Sequence, residues 1–98
     1  MPYIIETFDK PGHGEARLTH RAAHLAYLEQ HAHSLLACGA KLHDDGADLG
    51  GGLYLVDLET REAARAFIEA DPFFQAGLFD KVSITRWRKA WLANLCCL

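Results

Sequence analysis

The sequence predicts an α+β fold: an antiparallel four-stranded sheet with two helices on one face. Three observations lead there. Short β-branched and aromatic runs alternate with two segments of helical periodicity in the order βαββαβ. Turn clusters rich in Gly, Pro and Asp separate them. Ninety-eight residues, half of them hydrophobic and 23% charged, suit one soluble globular domain with a single core.

Each element has a local reason. Tyr3 to Phe8 is short, β-branched and aromatic, and stops at Asp9-Lys10-Pro11-Gly12. Glu15 to His31 follows helical spacing, with Leu18, Ala22, Leu25, Leu28 and Ala32 on one stripe and no interior Pro or Gly. Ser34 to Leu42 reads as a strand with Gly39 in its middle. His43 to Asp48 supplies turn chemistry, and Leu53 to Leu58 forms the next strand. Thr60 caps a second helix whose apolar face is Ala63, Ala64, Phe67 and Ile68. Asp71-Pro72 ends it, since proline disfavours helical geometry in the preceding residue. Val82 to Arg88 alternates as the last strand, and Ala90 to Leu98 is read as a helical tail. The domain is therefore placed at 1–89, with a tail at 90–98.

This order is the ferredoxin-like split βαβ arrangement. It leaves one sheet face uncovered. Tyr3, Ile5, Leu53, Leu55 and Trp87 are expected to point outward there, and a twofold dimer is the common way to cover such a face.

Composition excludes several function classes. A net charge of −3 argues against nucleic acid, whose phosphates call for a basic excess. No apolar run reaches the roughly 18 residues that a membrane span needs. The first residues lack a basic stretch followed by an apolar one, so no signal peptide is read and the cytoplasm is the expected compartment. Cys38, Cys96 and Cys97 make neither a disulfide framework nor a CxxC zinc pattern, and Cys38 reads as a small core residue. His20 and His24 have the i, i+4 spacing of helical metal sites, but no Glu follows the HExxH pattern and His20 is placed toward solvent. Neither a metal nor an organic cofactor is expected. Gly50-Gly51-Gly52 enters a strand without a following Gly-Lys-Ser/Thr, so it is hairpin rather than phosphate cradle. Asp44, Asp45 and Asp48 lack the closing Glu of a calcium loop, Leu55 standing in its place.

The residues that carry chemistry are His24 and Asp71, with Arg17 and Arg21 on the same helix side as His24. An imidazole titrates near neutrality, and a carboxylate on one ring nitrogen leaves the other free to move a proton. The arginines would hold an anionic or phenolate substrate by charge-assisted hydrogen bonds. The plain reading stays open beside this one: Asp71-Pro72 as a helix-ending turn, His24 as a satisfied border histidine, and both arginines as solvated residues lying over apolar surface.

The chain resembles the YciI-like (YCII-related) family over residues 1 to about 89. The resemblance is carried by Pro2-Tyr3-Ile4-Ile5 with Asp9-Lys10-Pro11-Gly12, the run from Arg21 to Leu28, and Gly39. It continues through Ala63-Ala64-Arg65, Asp71-Pro72-Phe73, Ala76-Gly77-Leu78-Phe79 and Trp87-Arg88. It implies a ferredoxin-like fold of the dimeric α/β-barrel type and a His–Asp catalytic pair at His24 and Asp71. It further implies a small-molecule substrate, with lyase chemistry of the dehydrochlorinase kind as precedent. A non-catalytic small-ligand-binding module on the same fold is the alternative. The chain departs from the family at Gly39-Ala40, where members often have Gly-Pro.

Overall fold

Alternation along the first strand, β1 (Tyr3–Asp9), sets the layering of the molecule: Tyr3, Ile5 and Thr7 are buried, while Ile4, Glu6 and Phe8 are less so. The computed structural model describes residues 2–98. After β1 come α1 (Gly14–Gln30), a short 3₁₀ turn, β2 (Leu35–Leu42) and β3 (Asp48–Val56). Then follow α2 (Arg61–Glu69), α3 (Pro72–Gln75), β4 (Phe79–Arg86) and a small terminal hairpin of β5 (Trp91–Leu92) and β6 (Leu95–Cys96).

The main sheet runs β2-β3-β1-β4, every pairing antiparallel. Tyr3 and Ile5 pair with Val56 and Tyr54 on one side and with Arg86 and Ile84 on the other. Directly paired residues share a sheet face. Tyr3, Ile5, Tyr54, Val56 and Ile84 therefore meet Ala64, Phe67 and Ile68 of α2, with Tyr27 and Leu28 of α1 against the same cluster. Fully burying each such apolar side chain contributes about 1.5–3 kcal/mol.

Several expectations need correction. Tyr3 and Ile5 face the helices, not the open side, because register in a strand flips every side chain at once. Leu53, paired with Glu6 and Gly39, does lie on the open face at 41% exposure. β3 begins at Asp48 rather than Leu53, so the triple glycine lies inside a strand. Gly51 sits at φ +116°, and a Cβ there would stand 2.0 Å from the Thr7 carbonyl oxygen, so only glycine fits this close approach. Thr60 caps α2 as expected, accepting from the Ala63 N–H at 3.1 Å. The tail is a hairpin rather than a helix, turning through Ala93 and Asn94 at φ 51° and 65°.

The apolar stripe of α1 is only partly buried. Leu18 is 73% and Leu25 44% exposed, and the helix residue that is fully inside is His24. The stripe overlooks clefts rather than packed core, because the strands beneath it carry Gly39, Ala40, Gly50 and Gly52 there. Among the described residues no helix is long and apolar enough to cross a membrane.

Candidate active site at the His24–Asp71 pair

Asp71 follows α2 directly, and its place has a local cause. It is the N-cap of α3, with Pro72 in the first turn, and its Oδ1 accepts from the Phe73 N–H at 2.8 Å. Asp71-Pro72 thus starts a new helix as well as closing the second. The same turn buries Asp71 completely and brings Phe73 beneath α1.

The His24 Nδ1–H donates to both carboxylate oxygens of Asp71 at 2.9 Å. The Tyr54 hydroxyl, from the middle of β3, donates to Oδ2 at 3.3 Å. Three donors on two oxygens fix the carboxyl as an acceptor, and that assigns the proton of a neutral His24 ring to Nδ1. Nε2 makes no hydrogen bond among the described residues, and His24 lines the cleft. Burial first, and then the charge of Asp71, hold the Tyr54 phenol far above its ordinary value, so it stays a neutral donor.

Phe73 orients the ring. It stacks on His24 with centroids 4.0 Å apart and planes 14° from parallel. Tyr54 meets the same imidazole edge-on at 6.2 Å. The ring is held by a bifurcated hydrogen bond and two aromatic neighbours.

The structure separates the two arginines. Arg17 is committed within the protein: its guanidinium grips Asp9 at 2.7 and 3.1 Å and lies 4.7 Å from the Phe73 centroid. Burial opposes its charge, but the hydrogen bond and charge of Asp9 outweigh this and leave its pKa raised. Arg21, one turn before His24, is exposed and has no ion-pair partner among the described residues. Asp9 and Tyr54 were missed as site residues. Asp9 had the aspect of a turn residue, and Tyr54 that of one strand aromatic among several. His20 is half-buried, and among the described residues no three His, Cys, Asp or Glu side chains converge as a metal site would require.

The cleft over this pair has a volume of about 270 Å³. Its floor is Cys38, Gly39, Ala40 and Gly52; its walls are Arg17, Arg21, Leu25, Leu28, Tyr54 and Phe73. Cys38 is a lining residue here, not core. Desolvation first and the charge of Asp71 second push its thiol up to about 11. The arrangement offers one imidazole nitrogen, oriented from behind, at the edge of an apolar hollow with a cation beside it. Proton transfer to or from a small bound molecule is the chemistry that it can perform.

Comparisons with known proteins identify the family and the fold. The YCII-related domain model matches residues 1–88. Protein YciI of Escherichia coli O6:H1 and protein YciI of Shigella flexneri are each 35% identical over 98 residues, covering 93% of this chain and all of theirs. The solved structure of 5-chloro-2-hydroxyhydroquinone dehydrochlorinase (TftG) from Burkholderia phenoliruptrix AC1100, in complex with 2,5-dihydroxybenzoquinone, is similar as well. It superposes with a TM-score of 0.82 at 34% identity, covering 90% of this chain and 94% of that one. An antibiotic biosynthesis monooxygenase shares the fold alone, at a TM-score of 0.51 and 14% identity over 90% of this chain and 98% of that one. The chain belongs to the YCII-related family of ferredoxin-like α+β proteins.

Proposed function

We propose that this protein is a small-molecule lyase in which His24 Nε2 moves a proton on a phenolic or enol-like ring, with elimination of HCl from a chlorinated hydroxyquinol as the model reaction. The observation that carries this reading is the His24 Nδ1–Asp71 bond, which leaves the opposite nitrogen at the cleft. The similarity to a dehydrochlorinase at 34% identity supports the reaction type.

The elimination balances without an external oxidant. A proton is delivered to the chlorine-bearing carbon, chloride leaves with the bonding pair, and ring hydroxyl protons are released as a quinone forms. The carbon that exchanges chlorine for hydrogen is reduced while the ring is oxidised, and the net loss is HCl. His24 is suited to both directions of proton movement, and Asp71 stabilises the imidazolium that exists between them. A well-placed acid–base group is worth about 100- to 10,000-fold in rate. A twofold dimer through the open sheet face and a cytoplasmic place of action belong to the same proposal.

The test is incubation with a panel of chlorinated hydroquinols, phenols and enol acids, reading both chloride release and thermal stabilisation. Product from wild type and its loss in His24→Ala is the expected result. Stabilisation without product from any member would instead favour a ligand-binding module, because a ligand raises the melting temperature by binding alone.

A further inference from the structure

The cleft over His24 does not end at Arg21. A second, larger hollow of about 910 Å³ lies toward the N-terminal end of α1, lined by the Asp9–Glu15 loop region, Leu18, and Asp48 to Gly50 of β3. Arg17, Arg21 and Ala40 line both hollows, so the two adjoin with the arginines at their boundary. Arg21 and Leu18 precede His24 by three and six residues, about 4.5 and 9 Å along the helix axis. The inner cleft has room for a six-membered ring with a substituent, and the outer hollow has no role in proton transfer to that ring.

Of the two cations at the junction, only Arg21 is available. Arg17 is held by both Asp9 oxygens and lies over Phe73, which in turn stacks on His24. Arg21 is exposed and unpaired among the described residues; the other charges lining the outer hollow are Asp9, Lys10, Glu15 and Asp48. None of those carboxylates comes within ion-pair distance of Arg21.

We propose that the ligands of this site are ring compounds bearing a short side chain that ends in a carboxylate, with the ring at His24, the carboxylate on Arg21 and the side chain leading into the outer hollow. Arg21 is then the residue that selects the anion. Arg17 is a positioning residue, which holds Phe73 against the imidazole and does not touch the ligand. This rests on the site assigned above but not on turnover there.

The probes are 3-(3,4-dihydroxyphenyl)propanoate and its primary amide, matched in shape and different in charge. Calorimetric titration of wild type is expected to give at least about tenfold tighter binding of the acid, since hydrogen bonds to a charged partner are the stronger kind. Arg21→Met, an exposed change, brings the acid-to-amide ratio to about one. Arg17→Met keeps the ratio and weakens both probes alike. If that variant melts below the working temperature, Arg17→Lys replaces it with the same expectation. A wild-type ratio near one, a ratio that survives Arg21→Met, a ratio that collapses in either Arg17 variant, or no binding of either probe at millimolar concentration would each overturn the proposal. A preserved tenfold ratio in a protein that turns over nothing would count against the lyase reading alone.

Discussion

Asp71→Asn keeps the shape of the buried side chain and removes its charge, so it isolates what the carboxylate does. Asparagine caps a helix as well as aspartate does, and its oxygen can still accept from the Phe73 N–H. The amide NH₂ then replaces Oδ2, which now accepts from both His24 and Tyr54. An NH₂ group can only donate, so one arm of the bifurcated Nδ1–H bond is lost. The other must share the remaining oxygen with the Phe73 N–H, which favours a lone pair at Nδ1 facing the NH₂ and the proton on Nε2. The cleft would meet an N–H where it now meets a lone pair. Turnover should fall by about 100- to 10,000-fold, the range for a lost acid–base group. One buried donor, the Tyr54 hydroxyl, loses a charged acceptor, which costs about 1–3 kcal/mol. For a domain of this size that lowers the melting temperature by roughly 4–8 °C per kcal/mol. Two-bond ¹⁵N–¹H correlation spectra of the imidazole at pH 8 read the tautomer directly. Wild type should show a protonated Nδ1 and a bare Nε2 at His24, and the variant the reverse. The same tautomer in both proteins, or turnover within threefold of wild type, would refute the reasoning.

Other expectations follow from the same geometry. Gly51→Ala should destabilise the fold by at least about 2 kcal/mol in urea titration, because the residue combines φ +116° with a Cβ site 2.0 Å from the Thr7 carbonyl oxygen; an unchanged midpoint would contradict the close approach. Cys38, with its thiol at about 11, is ionised only to about one part in a thousand at pH 8. All three thiols are exposed, so its alkylation by iodoacetamide should lag behind that of Cys96 and Cys97 through its raised pKa alone, and should rise tenfold per pH unit until about pH 11. Labelling of Cys38 as fast as the tail thiols would argue against its desolvation beside Asp71.

The element order and the Thr60 cap were legible in the sequence because each depends on local signals or on topology. The meeting of His24 with Asp71 was indicated by the family resemblance, the residues alone leaving a plain helix-ending turn open. A helix periodicity, a capping threonine and an Asp-Pro at a helix end are all short-range. What was not legible depends on tertiary approach. Tyr3 and Ile5 alternate with Ile4, and nothing in an apolar strand of that kind says which set faces the helices. The early start of β3 was hidden because Gly50, Gly51 and Gly52 have poor strand propensity, and tertiary contacts hold them there: Gly52 pairs with Ala40 of β2, and its N–H donates to Thr7 Oγ1 at 2.9 Å. The stripe on α1 was visible, but the smallness of the residues beneath it turned a packed face into a lined cleft. Arg17 and Arg21 looked equivalent four residues apart, and Asp9 alone distinguishes them. The terminal hairpin turns on Ala93 and Asn94, a pair with little signature beyond the tolerance of asparagine for positive φ.

The central claim is that the imidazole of His24, backed by Asp71, moves the proton that lets a leaving group go. Chloride release from 5-chloro-2-hydroxyhydroquinone, followed with an ion-selective electrode, measures that step directly in wild type and in His24→Gln. The account predicts steady release by wild type and at least a 100-fold slower rate in a variant that still melts cooperatively. Equal rates in the two folded proteins would contradict it.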